Sequence, residues 1–384
     1  MILIAGMSLP LFAQQQTGRA LPEALDRALA AGQMEQARQM LEEMLARPHV
    51  ELEVLLETGT KLADREHFES ARAVFARAVS DYPQSFEARY DMALADFALS
   101  RFSEAETALD GARELSKEQR LAREYLRGKL YDAMGQTELA ERSFLTAFHG
   151  SPQQENYALD LGLYYLRRHL YAKALETLTM AAKYHPDSIY LELGLGLAQV
   201  FGDDPPRAIA TCRRILAKEP NFGMARLLLV LAFYMNGENQ NCAAETATAL
   251  RQPGAPPYLY YLHAASLLRL NSKEYAVMLH DLNEANRGIP DCAFCYFAQS
   301  KVHQEMGDEG AAIADLEQLV TRVDREFSQG WYRLANLYQH AGRHDDATKA
   351  IERFRSIKSQ QTDRETEYLR KVFLSALGAE QAGK

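Results

Sequence analysis

Basic residues are the first shortage. Lys and Arg number 43 against 52 Asp and Glu, and the net charge is −9. Phosphate binding needs a basic footprint, so nucleic acid is excluded as the default partner. Cysteine is scarce too: Cys212, Cys242, Cys292 and Cys295 are the only four in 384 residues. That is too few for a disulfide scaffold. Prolines are sparse and scattered, and no low-complexity run exceeds Gln14 to Gln16, which argues against disorder. Inside the chain the longest nearly uncharged apolar run is Leu227 to Met235, too short to span a bilayer. No Gly-rich phosphate loop, Ser-centred elbow or His-Glu-x-x-His is found, so no catalytic residue, cofactor or metal ligand is expected.

The first residues, "MILIAGMSLPLFAQQQ", are apolar and then turn polar. They read as the core of a secretory signal peptide with cleavage after Ala13, although the expected basic n-region is missing. The chain is therefore expected to divide into an N-terminal apolar segment over 1–17, the main array over 18–361 and a terminal helix and tail over 362–384. Export to the periplasm or beyond is the expected localisation, with the cytoplasm as the alternative.

What the sequence has in abundance is self-similarity. In "GWYRLANLYQHAGRHDDATKA", Trp331, Leu334, Tyr338, Gly342 and Ala347 occupy offsets that recur about every 34 residues. Ten registers start near Gly18, Leu52, Phe86, Leu121, Glu155, Ile189, Gly223, Pro257, Ala293 and Ser328. Each unit carries apolar residues at spacings of three and four in both halves, the signature of two amphipathic helices. The mid-unit break often holds Gly (Gly135, Gly237, Gly307, Gly342), which suits a left-handed helix end. Pro83, Pro152, Pro186 and Pro220 stop the second helices.

Small residues mark the close approaches. Gly59, Gly128, Gly162 and Gly196 fall at the eighth position, and Ala71, Ala105, Ala140, Ala174, Ala208, Ala312 and Ala347 at the twentieth. Phe75, Phe144 and Leu178, at the twenty-fourth, would fill the space beside them. The whole pattern resembles the tetratricopeptide repeat, most clearly at 52–85, 121–154, 155–188 and 328–361. The copy with Cys242 and the copy with His263 and His280 depart furthest. The resemblance implies an all-α, right-handed solenoid of about ten helix–turn–helix repeats. "TDRETEYLRKVFLSALG", with capping-box spacing from Thr362 to Glu365 and an apolar face of Leu369, Val372, Phe373 and Ala376, reads as a capping helix over the last repeat. Docking a partner is its other reading.

The resemblance also implies that each first helix lines a concave groove that binds peptides. The second, fifth and ninth positions of the middle repeats supply Tyr190, Leu193, Leu197, Met224, Leu227, Leu231, Tyr258, Tyr261, Phe294 and Phe297. Those ten residues are the expected site for an extended apolar segment of a protein partner; tighter packing between adjacent first helices is the competing account. Arg333 and Asn336 fit two positions of the family's carboxylate clamp, but neighbouring copies do not complete it. Two further readings stand beside the scaffold. Cys292 and Cys295 form a C-x-x-C at a helix start, which suggests a local disulfide or a redox- or metal-linked module, though the βαβ setting of thioredoxin chemistry is absent. Self-association into a homo-oligomer through the groove or the terminal helix is the third.

Overall fold

The computed structural model describes residues 21–113, 115–251, 254–357 and 364–382. The N-terminal apolar segment 1–17 and Thr362 lie outside them. Among the described residues there are 21 α-helices and no strand. The chain is an all-α solenoid of helix hairpins, and eight of its first helices start at the residue where the repeat register places them. It divides into two compact units, one ending at Leu161 and the other starting at Gly162.

The first unit holds α1 (Leu21–Ala30), α2 (Met34–Leu45), α3 (Leu52–Asp64), α4 (Phe68–Asp81), α5 (Phe86–Ala98), α6 (Phe102–Asp110), α7 (Lys117–Ala133) and α8 (Thr137–Gly150). Odd-numbered helices are the first of each hairpin and even-numbered helices the second. The fourth hairpin starts four residues before its register, at Lys117, because Ser116 and Gln119 form a capping box that nucleates the helix early. The glycines at the eighth position sit where helices touch. A Cβ on Gly59 would lie 2.3 Å from the Phe75 ring, and one on Gly128 would lie 2.6 Å from Phe144. Ala71, Ala105 and Ala140, at the twentieth position, are fully buried.

The second unit contains most of α9 (Glu155–Arg167), then α10 (Tyr171–Ala182), α11 (Ile189–Phe201), α12 (Pro205–Lys218), α13 (Gly223–Met235), α14 (Asn239–Ala249), α15 (Pro257–Arg269), α16 (Tyr275–Gly288), α17 (Ala293–Glu305), α18 (Glu309–Gln318), α19 (Ser328–His340) and α20 (His344–Ser356). The copies with weak landmarks are hairpins like the rest. Cys242 takes the place of the small alanine and is fully buried. A π-helical turn over Leu319–Val323 follows α18. Its wider i→i+5 winding takes up the extra residue of a repeat that runs 35 residues, from Ala293 to Ser328.

One device recurs in every hairpin. The turn between its two helices has a single residue at positive φ: Gly32, Glu66, Ser100, Gly135, His169, Asp203, Gly237, Asn271, Gly307 and Gly342. Glycine reaches that conformation freely, whereas the other side chains pay for it.

The terminal helix α21 (Arg364–Ala382) corrects the sequence reading. It is expected over the last repeat. Among the described residues its ring contacts and its long-range hydrogen bonds run to first helices of the second unit, from α9 to α17. The physical reason is the match of surfaces. Its apolar face finds aromatic rings at the second positions of α15 and α17, and its polar flank finds carbonyls at the end of α9.

The first-helix face of the second unit

The face is built from residues that recur at fixed positions along successive first helices, so their side chains line up across the unit. Tyr258 of α15 meets Phe373 of α21 with ring centroids 5.6 Å apart, and Phe294 of α17 meets Tyr368 at 5.5 Å. Tyr261 stacks edge-on against Phe294 at 4.6 Å. Leu369 and Phe373 are 0% and 1% exposed, so the helix presents its apolar side inward. Burying each contributes about 1.5–3 kcal/mol.

Charge fixes the two ends of this helix segment. Arg370 is buried and fully engaged. It donates to Glu367 at 2.9 and 2.7 Å, to the Leu166 carbonyl at 3.1 Å and to the Arg167 carbonyl at 3.3 Å. Those carbonyls lie in the last turn of α9, where intrahelical donors run out and the helix dipole favours a cation. Glu367 is held below the usual carboxylate range by its hydrogen bond to Arg370, with help from His169, 3.7 Å away.

One helical turn earlier, Glu365 faces a different set of groups. Tyr234 and Tyr261, with hydroxyls 3.5 Å apart, are both pushed well above the ordinary tyrosine range by burial, and the Glu365 carboxylate adds to the shift in each. Arg269 lies over the Tyr234 ring at 3.9 Å and donates to its carbonyl. Lys301 lies over Phe297 at 4.4 Å. Burial, then repulsion from Arg333 and Arg269, pulls its pKa down, and Glu365 opposes that fall. Arg333 donates to Gln304, faces Glu305, and keeps a buried Nε without a partner.

The ten residues expected in the groove fall into three groups. Tyr258 and Phe294 touch α21 directly, and Tyr261 belongs to the polar end. Leu193, Leu197, Leu231 and Met224 are buried at 8% exposure or less. Tyr190, Leu227 and Phe297 are half-buried; Tyr190 packs edge-on against Phe222, and Phe297 meets Phe327 at a tilt. Sequence reasoning missed Arg269, Lys301 and Arg333 as a set. The signal was there: each is a cation on the first helix of one of three consecutive repeats.

The sulfurs of Cys292 and Cys295 are joined, with Cα atoms 5.2 Å apart, at the start of α17. Both residues are buried, at 2% and 0% exposure, which denies access to a thiol partner. Burial pushes the thiols of Cys212 and Cys242 up to about 12 and about 11. His263 is bonded to Asp281 at 2.6 Å. Among the described residues no group of three His, Cys, Asp or Glu side chains could hold a metal ion, and no helix is long and apolar enough to cross a membrane.

Tetratricopeptide repeat profiles match residues 62–130, and 125–189 together with 297–361. No curated protein sequence matches the chain. Among solved structures, a tetratricopeptide repeat protein from Parabacteroides merdae is 16% identical with a TM-score of 0.49, covering 65% of this chain and 98% of its own. The human IFIT1 dimer with m7Gppp-AAAA is 13% identical with a TM-score of 0.47, covering 94% and 87%. YrrB, described as a TPR protein with an unusual peptide-binding site, is 13% identical with a TM-score of 0.36, covering 48% of this chain and 92% of its own. With matched profiles over half its length and helix hairpins recurring at the repeat period, the chain belongs to the tetratricopeptide repeat family.

Proposed function

We propose that this chain is a non-catalytic scaffold that binds a helical segment of a protein partner on the first-helix face of its second unit. Tetratricopeptide repeats are in general protein-interaction scaffolds. The observation that carries the finer reading is the seat of α21: an amphipathic helix buries Leu369 and Phe373 and sets Tyr368 and Phe373 against aromatic side chains of this face. A surface shaped to bury a helix differs from the extended-peptide groove expected from sequence, since the helix brings anchors at spacings of three, four and eight. Selection of displayed random peptides on the full chain, followed by hydrogen exchange, tests the reading. Enriched peptides should slow exchange in α13, α15 and α17. Peptides that protect none of these helices would refute it.

Export is part of the proposal. The Cys292–Cys295 bond supports it, because disulfides persist in oxidising compartments. N-terminal sequencing of the protein from its native host should find residues 1–13 removed; an intact start would count against export.

A further inference from the structure

The geometry points to a recognition site for one class of partner: an amphipathic helix with a carboxylate three and four residues ahead of a tyrosine–leucine pair and eight ahead of a phenylalanine. In α21 those residues are Glu365, Tyr368, Leu369 and Phe373, and α21 is the resident competitor at this site. The inference rests on the proposed use of this face and names its ligand chemistry.

Two independent features carry it. The apolar half of the site is a pair of aromatic platforms, Tyr258 and Phe294, each already filled by a ring of α21. The polar half is electropositive. Arg269, Lys301 and Arg333 lie on successive first helices: Arg269 covers the Tyr234 ring, whose hydroxyl is 3.5 Å from that of Tyr261, and Lys301 feels both Arg269 and Arg333 as well as Glu365. Glu305 and Gln304 engage Arg333, yet its Nε remains buried and unpartnered, and so does Oε1 of Glu365. A low-dielectric face with several cations and hydroxyl donors selects a carboxylate, because an apolar side chain there would leave those donors unpaired.

The occupant can leave without dismantling the array. Hairpins α15–α16, α17–α18 and α19–α20 pack on one another, and α21 forms no hairpin. Being tethered, α21 competes at an effective concentration in the millimolar range, so it masks the face from weaker or dilute partners. A partner helix of the same pattern must bind better than α21, or α21 must first be weakened.

The test uses the full chain and a labelled peptide of residues 364–382. Leu369→Asp with Phe373→Asp expels the resident helix; circular dichroism checks that the array stays helical. The peptide should bind this variant at least ten-fold more tightly than the wild type. Glu365→Gln in the peptide should weaken binding about ten-fold, Lys301→Ala in the chain should do likewise, and the two together should cost no more than either alone. Equal affinity for both chains, no binding to the variant, or additive losses would overturn the inference. Light scattering that shows wild-type dimers exchanging α21 between copies would overturn it in favour of a second copy. Should the variant unfold, the wild type still decides: excess peptide must speed exchange in resident α21, and unchanged exchange is fatal. Displayed peptides that protect the face but lack the acidic and aromatic pattern would end this inference and leave the proposed function standing; absence of any face-protecting peptide removes the latter.

Discussion

Gly59→Ala puts the packing logic of the repeat to a severe trial. Gly59 lies inside α3, where Ala is about 1 kcal/mol better than Gly on helix propensity alone. An account without tertiary contacts therefore predicts stabilisation. The structure predicts the reverse. The new methyl would sit 2.3, 2.5 and 2.8 Å from three atoms of the Phe75 ring. The ring is 2% exposed and shares one buried cluster with Leu55, Leu62 and Val74, so it has no free direction in which to retreat. Overpacking of this kind costs about 1–3 kcal/mol, and the depth of overlap favours the upper end. The net loss is then about 2 kcal/mol. In a repeat array that loss is felt mainly by the hairpin itself and its neighbours. Hydrogen exchange measured by mass spectrometry should show α3 and α4 amides exchanging roughly 30-fold faster. With Phe75→Ala already in place the clash is gone, and Gly59→Ala should slow exchange by the propensity gain, about five-fold. A variant that stabilises the wild-type chain, or the same sign in both backgrounds, would refute the reasoning.

Ser100 holds a positive φ of 59° in the third hairpin turn, so Ser100→Gly should stabilise by about 1 kcal/mol and raise the thermal midpoint. Gly135→Ala, at φ 72°, should lower it by a similar amount. Asp91 is pushed up to about 6, first by burial and then by Glu87. Its raised folded-state pKa means that its contribution is fully present below about pH 4 and is lost as the pH rises through about 6. Asp91→Asn should thus stabilise at pH 7, by at most about 3 kcal/mol, and give no gain at pH 3.5; urea midpoints at the two pH values check this. In denaturant without reductant, thiol titration should count two groups, Cys212 and Cys242, and four after reduction.

Much of the fold was legible because each repeat states the same packing solution. Starts at Leu52, Phe86, Glu155, Ile189, Gly223, Pro257, Ala293 and Ser328 coincide with observed helix starts. Even the poorly marked copies kept phase, since a helix that slips by one residue turns its apolar stripe away from both neighbours. The hairpin turn was only half visible. Glycines advertised it in five repeats, whereas Glu66, Ser100, His169, Asp203 and Asn271 adopt the same left-handed geometry without a glycine to mark it. There the stacked helices on either side force the turn, and local preference is overridden.

The candidate site was less legible, and the reason lies in sequence distance. A residue's place on its helix follows from the repeat period, so the aromatic positions of the face could be named. What covers that face depends on a segment that obeys no period. The apolar stripe of α21, with Leu369 and Phe373, fits any neighbouring apolar surface equally well, and proximity in sequence favours the last repeat. Charge breaks the tie. Arg370 needs acceptors as it is buried, and it finds them in Glu367 and in the carbonyls of Leu166 and Arg167, 204 and 203 residues earlier in the chain. Glu365 needs donors, and α13, α15 and α17 bring Tyr234, Tyr261 and Lys301 to it. An apolar stripe thus decides that a helix will be buried, while the charges flanking the stripe decide where, and those can be read only once the partner surface is known.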